Sequence, residues 1–180
     1  MMHLLNYQVF YFIDEFNQNH ILKINKNINL IFRNYKKSYN LTFLRKLKNF
    51  CHSNGFNIFL SNNIKLAKTV GFDGAYIPSF NKHFTKNISF KKNFKLLGSA
   101  HNLREIREKE KQGVHYIFLS PIFKKDNKKV LGLYKFLKLK SYTNKRIVAL
   151  GGINTLNVKK LNLINNKSFA SINFIKNLYE

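Results

Sequence analysis

Residues 146–154 read RIVALGGIN, a short β-branched run that stops in two adjacent glycines, in a chain with only 8 glycines among 180 residues. Five apolar-rich residues closed by a glycine pair fit a buried strand better than a helix. The pair behind it is either a plain turn or a backbone opened so that its N–H groups can face an anion.

The same pattern recurs along the chain. The expected strands are YQVFYFI (7–13), INLIF (28–32), NIFL (57–60), GAYI (74–77), FKLLG (94–98), HYIFL (115–119), RIVAL (146–150) and FASIN (169–173). Between them, LTFLRKLKNFCHSNG, NIKLAKTVG, NLREIREKEKQG and TLNVKKLNLI carry helical spacing, and three of the four run into glycine. Continuous apolar strands separated by helices predict a parallel sheet covered by helices. Eight units leave roughly 22 residues each, lean for a (β/α)8 barrel, so the first and fourth crossovers are expected to be little more than loops. No internal repeat or low-complexity linker interrupts the chain, and one domain over residues 1–180 is expected.

The formal charge of +24 would ordinarily suggest nucleic acid or an anionic membrane. Here the lysines are scattered through nearly every segment, and Lys, Asn, Ile, Phe and Tyr are abundant while Trp is absent, the skew of an A- and T-rich coding sequence. A solvated basic surface is therefore expected, and nucleic acid is not expected as a partner, since no stacking platform or recognition motif accompanies the charge. The single cysteine, Cys51, excludes an internal disulfide and falls on the apolar side of a helix pattern. No apolar run reaches the length of a membrane span, and the N-terminal segment has neither a basic leader nor a small-residue cleavage site, so a cytoplasmic protein is expected.

In a parallel barrel the chemistry gathers at the C-terminal ends of the strands. The residues there include Arg33 to Lys36, Ser61 and Asn62, Ser79, Ser99 and His101, Ser120 to Lys129, Gly151 to Asn154, and Asn173. Amides, hydroxyls and lysines suit phosphate oxygens, which want several donors and positive charge. Only 8 Asp and Glu exist, and elimination leaves Asp14, Glu15 and Asp126 as rim carboxylates, too few for an evident Mg²⁺ cage. His101 follows strand five, with Asn102 as helix N-cap, where an imidazole could transfer protons near neutral pH. Lys124, Lys125, Lys128 and Lys129 form a basic loop able to close on a diphosphate.

The blocks FLSNNIKLAKTVGFDGAYIPS, LLGSAHN, HYIFLSPIF and VALGGIN, in that order, resemble the thiamine-phosphate synthase and TenI family from about residue 28 onward. The resemblance implies a compact (β/α)8 TIM barrel with shortened helices. It also implies a transferase, in which a thiazole phosphate nitrogen displaces diphosphate from the methylene of hydroxymethylpyrimidine diphosphate, through departure of diphosphate and capture of a pyrimidine carbocation. Phosphorylated small molecules are then the partners, and stabilising the leaving group is the main task. By the same resemblance Arg33 is the arginine that contacts diphosphate, Lys128 is the loop lysine, Ser99 or its neighbour is the serine after strand five, and Gly151, Gly152 and Asn173 hold the thiazole phosphate.

Four departures from the family pattern stand out. The Asn-Asp pair reads Ser61-Asn62, and the second metal-binding aspartate aligns near Asn81. The lysine two after Arg33 is Tyr35, with Lys36 displaced by one, and the loop threonines are Lys124 and Lys125. Amide oxygens are neutral ligands, so Mg²⁺ binding is expected to be weak. Two alternatives follow from the same resemblance: a TenI-type thiazole tautomerase using His101, and a noncatalytic binder of phosphorylated ligands.

Overall fold

Eight parallel strands pair in sequence order, and β8 returns to β1 to close the sheet into a barrel. This is seen in a computed structural model that describes residues 6–35, 40–83, 89, 91–124 and 130–180. The strands are β1 Gln8–Ile13, β2 Ile28–Phe32, β3 Ile58–Ser61, β4 Gly74–Ile77, β5 Lys95–Ala100, β6 Tyr116–Leu119, β7 Arg146–Leu150 and β8 Ser168–Ser171. The helices are α1 Gln18–Lys23, α2 Leu41–Ser53, α3 Ile64–Val70, α4 Leu103–Lys111, α5 Gly132–Lys140 and α6 Asn173–Tyr179, with a 3-10 helix at Val158–Ile164. The expected (β/α)8 architecture is what the chain adopts.

Alternation along each strand builds two apolar layers. Phe10 and Phe12 point into the barrel, whereas Val9, Tyr11 and Ile13 face the helices. Inside, aromatic rings meet edge to face: Phe10 and Phe118 at 5.0 Å, Phe12 and Tyr76 at 5.1 Å, Tyr76 and Phe118 at 5.4 Å between centroids. Each such pair adds about 1 kcal/mol beyond its buried area, so the barrel is filled by rings and carries no open bore.

Asparagine starts the first four helices. Asn17, Asn40, Asn63 and Asn102 accept hydrogen bonds from the N–H of His20, Phe43, Leu66 and Glu105 respectively. Each bond satisfies an otherwise orphaned donor, a contribution of about 1 kcal/mol. Cys51 is buried on α2 as expected, and burial pushes its thiol up to about 12.

Several segments differ from the sequence expectation. The first crossover is a short helix, α1, because Asn17 caps it; in the fourth, no helix is found among the described residues. Within TLNVKKLNLI, Val158–Ile164 form a 3-10 helix, since the buried Val158, Leu161 and Ile164 recur every third residue, which places them on one face only at three residues per turn. Strand β5 runs on through Ser99 and Ala100, and β8 ends at Ser171, so Asn173 opens α6 and does not end a strand.

Candidate active site

Because all eight strands are parallel, Arg33, His101 and Gly151 lie at one end of the barrel. Arg33 leaves β2 with its N–H bonded to Ile13 O at 2.8 Å, and its guanidinium carbon stands 4.4 Å above the Phe12 ring. It therefore caps the aromatic filling of the barrel with a permanent positive charge. Beneath it, Ser99 is buried in β5 and hydrogen-bonded with the Tyr76 phenol. Burial pushes that phenol up to about 12, against the opposing effects of the Ser99 bond and Arg33.

Side-chain hydrogen bonds link the ends of successive strands around this mouth. Asn34 Nδ2 donates to Asp14 O at 2.9 Å, and the Tyr35 and Ser61 hydroxyls meet at 2.8 Å. Asn81 Nδ2 donates to Asn62 Oδ1 at 2.8 Å, Ser79 Oγ lies 3.2 Å from His101 Nε2, and His101 Nδ1 lies 2.8 Å from Ser120 O. The belt thus runs from β1 to β6, and the backbone bonds Ile122 N to Leu150 O and Phe123 N to Gly151 O carry it on to β7.

The belt fixes the imidazole. Ser120 O can only accept, which assigns the neutral ring's proton to Nδ1 and leaves Nε2 as an acceptor facing Ser79. The His101 backbone N–H is held by Glu105 Oε2 at 2.8 Å, while Glu105 Oε1 accepts from Asn102 Nδ2. Glu105 therefore anchors the site from the first turn of α4; the spacing Asn102-x-x-Glu105 carries that signal in the sequence.

Across the mouth, a cavity of about 380 Å³ is lined by Lys124, Gly151, Gly152, Asn173 and neighbouring residues. Both glycines have positive φ, 93° and 69°. A Cβ on Gly151 would lie 2.8 Å from Pro121 Cβ, and one on Gly152 only 2.4 Å from Phe123 O. The space a Cβ would need is taken by the β6–α5 loop packed against them, a steric reason for the glycines that is independent of any anion. That packing leaves the peptide units of the pair on the cavity wall.

The structure brings together Arg33, Ser61, Asn62, Ser99 and His101 on one side of the mouth, and Gly151, Gly152 and Asn173 on the other. Lys36 and Lys128, with Lys125, Asp126 and Lys129, lie outside the described residues. Of the basic loop, Lys124 reaches the glycine cavity. Tyr35, expected as a lost lysine, instead packs edge-on against Phe80 at 5.8 Å and shares a hydrogen bond with Ser61.

The residues present do not fit a Mg²⁺ cage. Where the family pattern has aspartates there are Asn62 and Asn81, whose amides are neutral and bonded to one another. Among the described residues no group of three or more His, Cys, Asp or Glu is placed to hold a metal ion. Nor, among those residues, is any helix long and apolar enough to cross a membrane.

The fold and sequence have known counterparts. Thiamine phosphate pyrophosphorylase from Pyrococcus furiosus superposes with a TM-score of 0.73 over 97% of this chain and 92% of its own, at 18% identity. Thiamine-phosphate synthase of Prochlorococcus marinus is 31% identical over 135 residues, 73% of this chain and 39% of that protein. The Staphylococcus epidermidis thiamine-phosphate synthase is 31% identical over 122 residues, 64% of this chain and 57% of its own length. The chain thus spans less than two thirds of the length of these curated relatives. A family model described as thiamine monophosphate synthase matches residues 24–175, from just before β2 into α6. With strands β2 to β8, the Arg33 and His101 mouth and the double glycine inside that span, the chain belongs to the thiamine monophosphate synthase family.

Proposed function

We propose that this chain is a thiamine-phosphate synthase type transferase, acting in thiamine biosynthesis as a single barrel domain. It would join hydroxymethylpyrimidine diphosphate to thiazole phosphate. The carbon–oxygen bond to diphosphate breaks, the thiazole nitrogen supplies the electron pair for the new carbon–nitrogen bond, and diphosphate leaves. The observation that carries this reading is the pairing, at one mouth, of a fixed guanidinium with a separate glycine-walled cavity beside Lys124. Two anionic substrates need two such places. In this reading Arg33 takes up the charge of the departing diphosphate, with Lys36 and Lys128 as further cations. Gly151, Gly152 and Asn173 receive the thiazole phosphate, and Ser99 lies below the reacting centre. Ser61 and Asn62 border the diphosphate side as neutral donors and acceptors, so charge neutralisation falls to Arg33 and the lysines and no protein-held Mg²⁺ is assigned. The protein would work in the cytoplasm, on small phosphorylated metabolites.

A TenI-type tautomerase is the second reading, supported by the orientation of His101. Its Nε2 is an acceptor with a hydroxyl at hand, which suits proton transfer without a metal. Purified protein incubated with both phosphorylated substrates, with and without added Mg²⁺, tests the two together. The transferase reading expects stoichiometric diphosphate and thiamine phosphate. Isomerisation of a thiazole carboxylate phosphate alone, abolished by His101→Gln, would replace it with the second reading. Binding of either substrate with no turnover would reduce the protein to a noncatalytic phosphate-ligand binder.

A further inference from the structure

Lys109 is buried in full on α4, and all three protons of its ammonium are used. Nζ donates to Pro78 O at 2.8 Å, to Asn81 O at 2.7 Å and to Gln112 Oε1 at 2.8 Å. Gln112, one turn on and also buried, donates its Nε2 to Asn81 O at 3.0 Å and to His83 O at 2.9 Å. The two side chains thus gather three carbonyls of the segment following β4, in the crossover where no helix is found among the described residues. A helix there would have satisfied its own carbonyls; an irregular backbone needs donors from elsewhere.

Room for this arrangement is built into the sheet. The aliphatic stem of Lys109 crosses Gly98 of β5, where an added Cβ would come within 2.8 Å of Lys109 Cδ and 3.0 Å of Val114 Cγ1. Burial holds the ammonium below its ordinary range, to about 8, with Glu108 and Glu105 acting the other way, so it is charged at neutral pH. A charged donor facing carbonyls makes stronger bonds than a neutral one.

The segment held in this way supplies two links of the belt around the mouth. Ser79 reaches His101 Nε2, and Asn81 reaches Asn62. We propose that Lys109, with Gln112, is a positioning residue for the active-site mouth: from the outside of the barrel it fixes the β4 segment so that Ser79 meets the imidazole and Asn81 meets Asn62. It touches no substrate. In the position of the family's acidic pair, two loops are held by an internal ammonium and an amide–amide bond. This inference rests on the mouth being the active site.

The test uses the full chain and two variants, Lys109→Met and Gln112→Met, with Lys109→Arg as the conservative partner. Amide hydrogen exchange is read without substrate at Asn81 and His83, whose N–H groups are bonded within the segment to Pro78 O and Asn81 Oδ1. The expected result is exchange at least tenfold faster there in both Met variants. Strand amides of β1 and β6 stay unchanged, the His101 ring signals shift, and Lys109→Arg restores part of the protection. In the transferase assay kcat falls with little change in KM for the thiazole phosphate. Unchanged exchange at Asn81 and His83 overturns the proposal. So does faster exchange spread over the barrel, or failure of both Met variants to fold, since the pair would then support the whole fold and not the mouth. The exchange and ring-signal changes without activity in any protein, wild type included, would overturn the functional reading and leave the positioning role standing.

Discussion

Asn81 donates its side-chain N–H to Asn62 Oδ1 at 2.8 Å, joining the ends of β4 and β3 where the family pattern places two aspartates. Two carboxylates at that separation would repel and call for a cation between them; two amides satisfy one another. The wild-type protein is therefore expected to show no Mg²⁺-dependent shift in Tm. The Asn62→Asp/Asn81→Asp double variant is expected to lose stability in chelator and regain it with Mg²⁺. At a concentration ten times the Kd the recovery is about 1.4 kcal/mol, a rise of about 3 °C in Tm for a chain of this size. Calorimetric scans of both proteins with EDTA and with millimolar Mg²⁺ check this. A Mg²⁺ response of equal size in the wild type would contradict it.

Gly152 gives a different kind of test, because its Cβ site is occupied by Phe123 O and its φ is 69°. Gly152→Ala should cost about 2 kcal/mol from the left-handed backbone and the displaced loop. It should also raise KM for the thiazole phosphate at least tenfold while leaving that for the pyrimidine diphosphate near its original value. Chemical denaturation and steady-state kinetics read the two effects separately. Equal losses for both substrates would mean that the cavity beside β7 is not a separate subsite.

The barrel was legible because strands such as INLIF, GAYI and RIVAL are short runs dominated by apolar residues, and their observed limits match to the residue. Where small residues follow, as at Ser99 and Ala100, the ladder continues past the apolar run, and composition gives no stop. Helices α5 and α6 have no side-chain N-cap bond, so the start signal that marked the first four is missing. The site was partly legible: Arg33, His101 and the glycines could be placed by following strand ends. Lys109 could not, since within REKEK it reads as one more solvated lysine. Its burial is decided by Gly98 on a neighbouring strand and by carbonyls some thirty residues away, relationships that no local pattern encodes.

His115 predicts an acid-side loss of stability. Its Nδ1 accepts the Leu96 N–H at 3.0 Å, which requires the unprotonated ring. Partial burial and then the Lys95 charge lower its pKa from the ordinary 6.5. The folded protein thus binds its proton less readily than the unfolded chain. Stability from this source is complete above pH 6.5 and falls as pH drops toward the lowered value. The group is largely exposed, so the effect is small, on the order of 2 °C in Tm between pH 7.5 and 5. His115→Asn, which keeps an acceptor near the Nδ1 position, should remove this component of the pH dependence. Thermal scans of the two proteins at both pH values check it.

Arg33 makes the strongest claim on function, since it is a fixed cation at the mouth, and its removal should separate charge from shape. Its guanidinium lies over Phe12 and beside Tyr35 and Tyr76, so little of the fold depends on a carboxylate partner for it. Arg33→Ala should leave Tm within about 2 °C, because a partly exposed cation–π contact contributes only about 1 kcal/mol. Loss of a charged donor from a departing diphosphate costs about 2–3 kcal/mol, so kcat/KM for the pyrimidine diphosphate should fall roughly 30- to 150-fold. Arg33→Lys keeps the charge but not the flat stacking on Phe12 or the two-pronged donation, and should recover only part of that loss. If the tautomerase reading were the right one, neither change would alter thiazole isomerisation appreciably, while His101→Gln would abolish it. Measuring the three variants in both assays therefore shows whether the mouth is built around a leaving anion or around a proton.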